Sequence, residues 1–163
     1  MNVYNINCDS MKNYEDIINN SPFILNHLIS LKETHDYYLK QFLKKETEIT
    51  YSQYYMFMLL YFEPNVNQSD IAKACFMNRS GVSRAFSEFE KKGLIKRDIN
   101  PYNKREYITT LTPKGLETAK FLEEKEIEWD NMICEELNLS RDELLELLSK
   151  LSMKSLMFNR KQF

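Results

Sequence analysis

Residues 66–111 read VNQSDIAKACFMNRSGVSRAFSEFEKKGLIKRDINPYNKREYITTL, and no other stretch constrains the fold as much, because its apolar spacing changes twice. Asn67 is placed to cap a short helix. Asp70, three residues on, completes a capping-box-like pair and favours the positive end of that helix. Ile71, Ala72 and Cys75 then share an inward face. The pattern breaks at Phe76 and Met77. Asn78 is the natural N-cap of a second helix, whose Val82, Ala85, Phe86 and Phe89 recur at helical spacing until Gly93 ends it. A run through Leu94, Ile95, Lys96, Arg97, Asp98 and Ile99 follows, then a turn at Asn100-Pro101-Tyr102-Asn103. A strand rich in Tyr, Ile and Thr returns over 105–111.

Two short helices followed by a hairpin is the order of a winged helix-turn-helix. With Val82, Phe86 and Phe89 turned to the core, the second helix points Arg79, Ser80, Ser83, Arg84 and Ser87 outward, along with the bare backbone of Gly81. These groups are short or cationic, which is what a helix needs to enter the DNA major groove. Arg and Ser donate to base edges and phosphates. Lys104 and Arg105 stand at the hairpin tip, placed to reach phosphate or a neighbouring minor groove.

The segments SDIA, SGVSRAFSEFEKKGLIKR, NPYNKRE and LTPKG, between Gln68 and Gly115, resemble the MarR-type (multiple antibiotic resistance regulator) family. The resemblance extends over most of the chain from about Ser21. It implies a dimeric transcriptional regulator, typically a repressor, released from DNA by a small molecule bound between the dimer helices and the winged region. The family's wing carries an Asp-Arg-Arg run where this chain has Asn103-Lys104-Arg105. The wing arginine therefore falls on Arg105, and its acidic partner is replaced by an amide that accepts a hydrogen bond without the charge-assisted component.

Charge is segregated in the sense that DNA binding requires. The formal net charge is only −2, but residues 71–105 hold nine Lys and Arg against three acids, whereas 115–147 hold eleven acids against three bases. Such polarity orients a protein on a polyanion. At 163 residues the chain is expected to be a single domain, soluble and cytoplasmic, with no apolar run long enough to cross a membrane.

The rest of the chain reads as helix, giving a mainly α fold with a small β-hairpin wing. Residues 21–45 and 112–160 are expected to dimerise, and 50–111 to form the winged region. Ser21 and Pro22 are expected to cap and open a helix with the stripe Phe23, Leu25, Leu28, Ile29, Leu31, Tyr38, Leu39 and Phe42. A helix after Thr50 stops before Pro64. Thr112-Pro113 opens a long charged helix, and Ser140 with Glu143 forms a capping box for the last one. The end helices carry more apolar surface than one small domain covers, so a homodimer is expected. Two reading helices about 34 Å apart then match a pseudo-palindrome.

An apolar or phenolic effector would suit walls built from Tyr38, Tyr54 and Tyr55, although each reads first as core or interface packing. Cys8, Cys75 and Cys134 are dispersed, with no C-x-x-C spacing, so neither a disulfide framework nor a zinc site is expected. The resemblance raises redox sensing through Cys8 as an alternative, but Asn7 and Asp9 supply no cation to activate a thiol there. His27 and His35 are offset by most of a quarter turn on one helix and cannot clasp a metal together. Three glycines leave no phosphate-binding loop, and neither G-x-S-x-G nor H-E-x-x-H occurs. No cofactor or enzymatic activity is expected, and the remaining rival is a winged helix used for protein contacts.

Overall fold

The computed structural model describes residues 18–64, 66–101, 104 and 107–162, in two compact units that part between Glu46 and Thr47. Cys8, Tyr102, Asn103 and Arg105 lie outside the described residues.

The first unit contains helix α1, Ile24–Glu46. It starts two residues later than its Ser21-Pro22 signal suggests, because Ser21 is used differently. The Ser21 hydroxyl accepts from the Asn26 side-chain amide at 2.8 Å, and its backbone N–H closes a turn onto the Ile18 carbonyl. The apolar stripe is continuous in sequence but divided in burial. Leu39, Phe42 and Leu43 are buried, whereas Phe23, Ile24, Leu25 and Ile29 are exposed. Tyr38 is half-buried and meets Phe42 edge-on at 4.9 Å.

The second unit runs α2 (Tyr51–Phe62), α3 (Gln68–Ala74), α4 (Arg79–Lys91), β1 (Ile95–Ile99), β2 (Tyr107–Leu111), α5 (Pro113–Leu137) and α6 (Arg141–Gln162). Its caps are local and match the sequence expectation. The Asn67 side chain accepts from Asp70 N–H at 2.9 Å, Asn78 from Gly81 N–H at 2.7 Å, and Thr112 from Gly115 N–H at 3.0 Å. Ser140 N–H donates to the Glu143 carboxylate at 3.0 Å while Glu143 N–H donates back to the Ser140 hydroxyl at 3.3 Å, closing the capping box of α6. The Ser140 hydroxyl also donates to that carboxylate at 2.5 Å, and this bond first, then the one from Ser140 N–H, holds the Glu143 carboxyl below its ordinary value.

The core of this unit gathers one face each from α2, α3, α4 and α5. Phe57, Ile71, Val82, Phe86, Phe89, Leu94 and Leu122 are fully buried. Phe57 and Phe89 pack edge-to-face at 5.3 Å, a geometry worth about 0.5–1.5 kcal/mol beyond the buried area. Cys75, expected to face inward, is only half-buried because it is the C-cap residue at the end of α3, and what burial it has pushes its thiol pKa up. The hairpin is antiparallel with Ile95 opposite Leu111 and Ile99 opposite Tyr107, and the expected start of its second strand, at 105, lies outside the described residues. Among the described residues no helix is long and apolar enough to cross a membrane, and no cluster of three or more His, Cys, Asp or Glu could hold a metal ion.

Two tyrosines join α2 to α5. The Tyr61 hydroxyl donates to Glu123 at 2.8 Å, and the Tyr54 hydroxyl donates to Glu126. Tyr54 is buried, and burial first, then the hydrogen bond to Glu126, raises its pKa far above the ordinary phenol value of 10.0. An unfolded chain releases this proton near pH 10 while the folded chain keeps it, so the stability is present below that pH and lost as pH rises beyond it. Alkaline unfolding followed by circular dichroism should show stability falling above about pH 10 in the parent. The fall should be shallower in Tyr54→Phe, and equal slopes would contradict the assignment.

Candidate nucleic-acid interface

Helix α4 is amphipathic over its whole length, and its two faces differ in chemistry. Val82, Ala85, Phe86 and Phe89 are buried, which fixes the helix in rotation. Arg79, Ser80, Ser83 and Arg84 are exposed on the other side, with Gly81 and Ser87 half-buried beside them. The Ser87 hydroxyl donates to the Ser83 carbonyl at 3.0 Å, so it is satisfied within the helix. A Cβ at Gly81 would lie 3.2 Å from both Met77 Cε and Asn78 Oδ1, so glycine leaves the first turn open rather than relieving a backbone clash.

Both acids on α4 lie in its C-terminal half and are engaged. Glu88 accepts from the Gln53 side-chain amide on α2, and Glu90 accepts from two nitrogens of Arg97 on β1. The leading two turns therefore present only cations, hydroxyls and the partial positive charge of the helix N-terminus. Among the described residues no carboxylate pairs with Arg79 or Arg84, and Arg79 makes only a long 3.4 Å contact to Ser69.

The structure also shows which of the basic residues counted in sequence have intramolecular partners. Arg97 is only 18% exposed in its side chain and lies 5.6 Å over the Tyr107 ring, so it braces the hairpin against α4. Lys73 pairs with Asp70 at 3.0 Å and Lys96 with Asp98 at 2.9 Å. Lys104 is exposed in the turn between the strands.

Lys92, just past α4, belongs to a polar clamp that sequence spacing does not reveal. Its ammonium donates to the Glu48 carbonyl at 2.7 Å, while Lys114 at the start of α5 donates to the Glu48 carboxylate at 2.7 Å and to the Lys92 carbonyl at 2.9 Å. The bond from Lys114 holds the Glu48 carboxyl below its usual range. The end of α4, the approach to α2 and the start of α5 are thus tied together. Of the tyrosines expected to wall a ligand crevice, Tyr54 is buried with its hydroxyl on Glu126, Tyr55 is 65% exposed and meets the Tyr54 ring edge-on at 5.9 Å, and Tyr38 belongs to the first unit.

Residues 47–106 match the model of the MarR family. A candidate transcriptional regulatory protein for the hcr operon of Thauera aromatica is 30% identical over 104 residues, which make up 63% of this chain and 63% of that protein, so the match spans less than two thirds of the relative's length. The crystal structure of MarR superposes with a TM-score of 0.72 at 19% identity, covering 88% of this chain and 98% of that one. A MepR–DNA complex from S. aureus superposes with a TM-score of 0.62 at 24% identity, covering 83% and 99%. A capped, cation-bearing helix beside a braced hairpin, the matching family model and the shared fold lead to one assignment: residues 47–106 carry the winged helix-turn-helix segment of the MarR family, within a chain that has the fold of MarR.

Proposed function

We propose that this protein is a dimeric, sequence-specific DNA-binding repressor that reads a pseudo-palindromic operator. Residues 78–91 enter the major groove, and the hairpin over 96–110 lies on adjacent backbone or minor groove. The observation that carries this reading is the outward face of α4, where Arg79, Ser80, Ser83 and Arg84 are exposed while both acids of the helix are held elsewhere. Arg84, in the second turn, is assigned to base edges, and Ser83 and Ser80 to bases or phosphate. Gly81 lets backbone approach, Ser87 lines the same face, and Lys104 with Arg105 serves the wing. The MepR structure in complex with DNA supports this mode of use for the shared fold.

Dimerisation is supported by apolar surface that one copy leaves open. On α6, Leu147, Leu151, Met153, Leu156, Met157 and Phe158 are each at least 40% exposed. A monomer rarely shows so much contiguous apolar area, and a second copy of the chain would cover it. The two-fold axis would then set the spacing between the two α4 helices, and a small apolar or phenolic effector would release DNA by binding one spacing better than the other.

The test is selection of bound fragments from sheared genomic DNA at two salt concentrations, with an Arg84→Ala, Arg105→Ala variant in parallel and the solution mass measured by light scattering. We expect a mass of twice 19.6 kDa and a pseudo-palindrome with half-sites about one turn apart, lost in the variant. Recovery of no motif by the parent would leave the protein-contact reading instead.

A further inference from the structure

Among the described residues three helices end in the same hydrogen-bonded motif, and one of them places an unsuitable residue at its critical position. After α4, Gly93 N–H bonds the Glu90 carbonyl and Leu94 N–H bonds the Phe89 carbonyl. After α5, Asn138 N–H bonds Glu135 and Leu139 N–H bonds Cys134. After α3, Phe76 N–H bonds Lys73 and Met77 N–H bonds Ala72. Each is a Schellman motif, which needs one residue in the left-handed region. Those residues are Gly93 at φ 68°, Asn138 at φ 53° and Phe76 at φ 52°. Glycine and asparagine tolerate that conformation, and a bulky aromatic does not.

Burial gives Phe76 no compensation, since it is 98% exposed. Both the backbone and the hydrophobic effect therefore disfavour phenylalanine at this turn. Strain of this kind is kept where the side chain has a task outside the fold. The turn lies two residues before Asn78, the N-cap of α4, with exposed Arg79 and Ser80 immediately beyond. Phe76, even with its exposed neighbour Met77, does not form the broad apolar patch that a protein partner would need, because cationic and hydroxyl-bearing residues stand beside it. It suits one apolar contact inside a largely polar footprint. On duplex DNA, the apolar group presented to a helix entering the major groove is the C5-methyl of thymine.

We propose that Phe76 is a specificity-determining residue that contacts a thymine methyl at the edge of each half-site. This rests on the DNA-reading function proposed above. The probe is a fluorescein-labelled duplex carrying the motif recovered by the parent protein from random-sequence DNA, with its thymines replaced one at a time by uracil, which lacks the methyl. Phe76→Asn is the informative variant, because asparagine fits the left-handed turn. Its melting temperature should equal or exceed the parent's, while its affinity for the operator falls about tenfold. Uracil at one position per half-site should weaken the parent severalfold and leave Phe76→Asn unaffected, the non-additivity expected of two groups in contact. Unchanged affinity in the variant would overturn the proposal and leave Phe76 to a protein partner or a second copy. Weakened binding with equal sensitivity to uracil would overturn the thymine assignment. If the parent recovers no motif, the DNA-reading function fails and this proposal with it. That result differs from failure of the proposal alone, in which the parent still binds selectively.

Discussion

Gly115→Ala should lower stability by about 3 kcal/mol, equivalent to a fall in melting temperature of roughly 6–12 °C for a chain of this size. Gly115 sits in the first turn of α5, where alanine is ordinarily the better helix former. Here a Cβ would lie 1.9 Å from the Leu94 carbonyl oxygen and 2.9 Å from its carbon, with the Leu111 side chain at 3.3 Å. The obstruction is backbone, so rotating a side chain cannot relieve it. That carbonyl is also fixed in place, because it accepts Thr112 N–H at 3.0 Å while the Thr112 hydroxyl donates to the Gly93 carbonyl at 2.6 Å. To admit the methyl group, α5 must move off the start of β1 and break those bonds.

Gly93 provides the control. Its φ of 68° makes it strained for alanine, yet nothing lies within 4 Å of an added Cβ. Gly93→Ala should therefore cost only about 1 kcal/mol. Thermal denaturation of the two variants side by side separates steric exclusion from conformational preference. A Gly115→Ala melting temperature within a degree or two of Gly93→Ala would mean that α5 does not seat on the Leu94 carbonyl. The consequence for function is direct, since Lys114 adjoins the same junction and ties α5 to the end of α4.

The contrast between these glycines shows what the sequence could reveal. Gly93 was legible because its cause is local: it follows the last residue of a periodic helix. Gly115 was not, because its cause is a carbonyl that comes close only after the hairpin has folded back. A glycine placed where helix formers are preferred was the one available hint. The caps at Asn67, Asn78, Thr112 and Ser140 were legible for the same reason as Gly93, since a cap and the donor it serves lie within three residues. The start of α1 was not, because Asn26 competes for the Ser21 hydroxyl.

The candidate site divides along the same line. The rotation of α4 was legible from four apolar residues at helical spacing, so its outward face follows from the sequence alone. Which cations remain available does not. Arg97 adds to the basic balance of the segment, yet it is bonded to Glu90, and Lys92 is bonded to the Glu48 carbonyl from across the fold. Periodicity also could not show that the α1 stripe is buried only in its C-terminal half, since spacing says which residues share a face but not what covers it. Phe76 was legible as a break in the pattern. Its exposure and backbone conformation were not.

The second large effect concerns how Arg79 and Arg84 divide the work of DNA binding under the proposed function. Arg84 lies in the second turn of α4, one turn past Ser80, at a depth from which a guanidinium reaches base edges. Arg79 is the first helical residue and extends toward Ser69 on α3, which places it nearer the strand backbone. Arg84→Ala should weaken operator binding by about 1–3 kcal/mol, roughly tenfold to a hundredfold, and relax sequence preference at one position per half-site. Its plot of log affinity against log salt should keep nearly the parent slope. Arg79→Ala should instead weaken all sequences alike and flatten that slope by about one unit for each phosphate left without its cation, or about two for a dimer. Fluorescence anisotropy with an operator duplex and a scrambled duplex, at four salt concentrations, reads both quantities. If Arg84→Ala weakens operator and scrambled DNA equally, with a flattened slope, Arg84 binds phosphate and the base-reading role must lie elsewhere on α4. Ser83, one residue away on the same exposed face, is the next position to test.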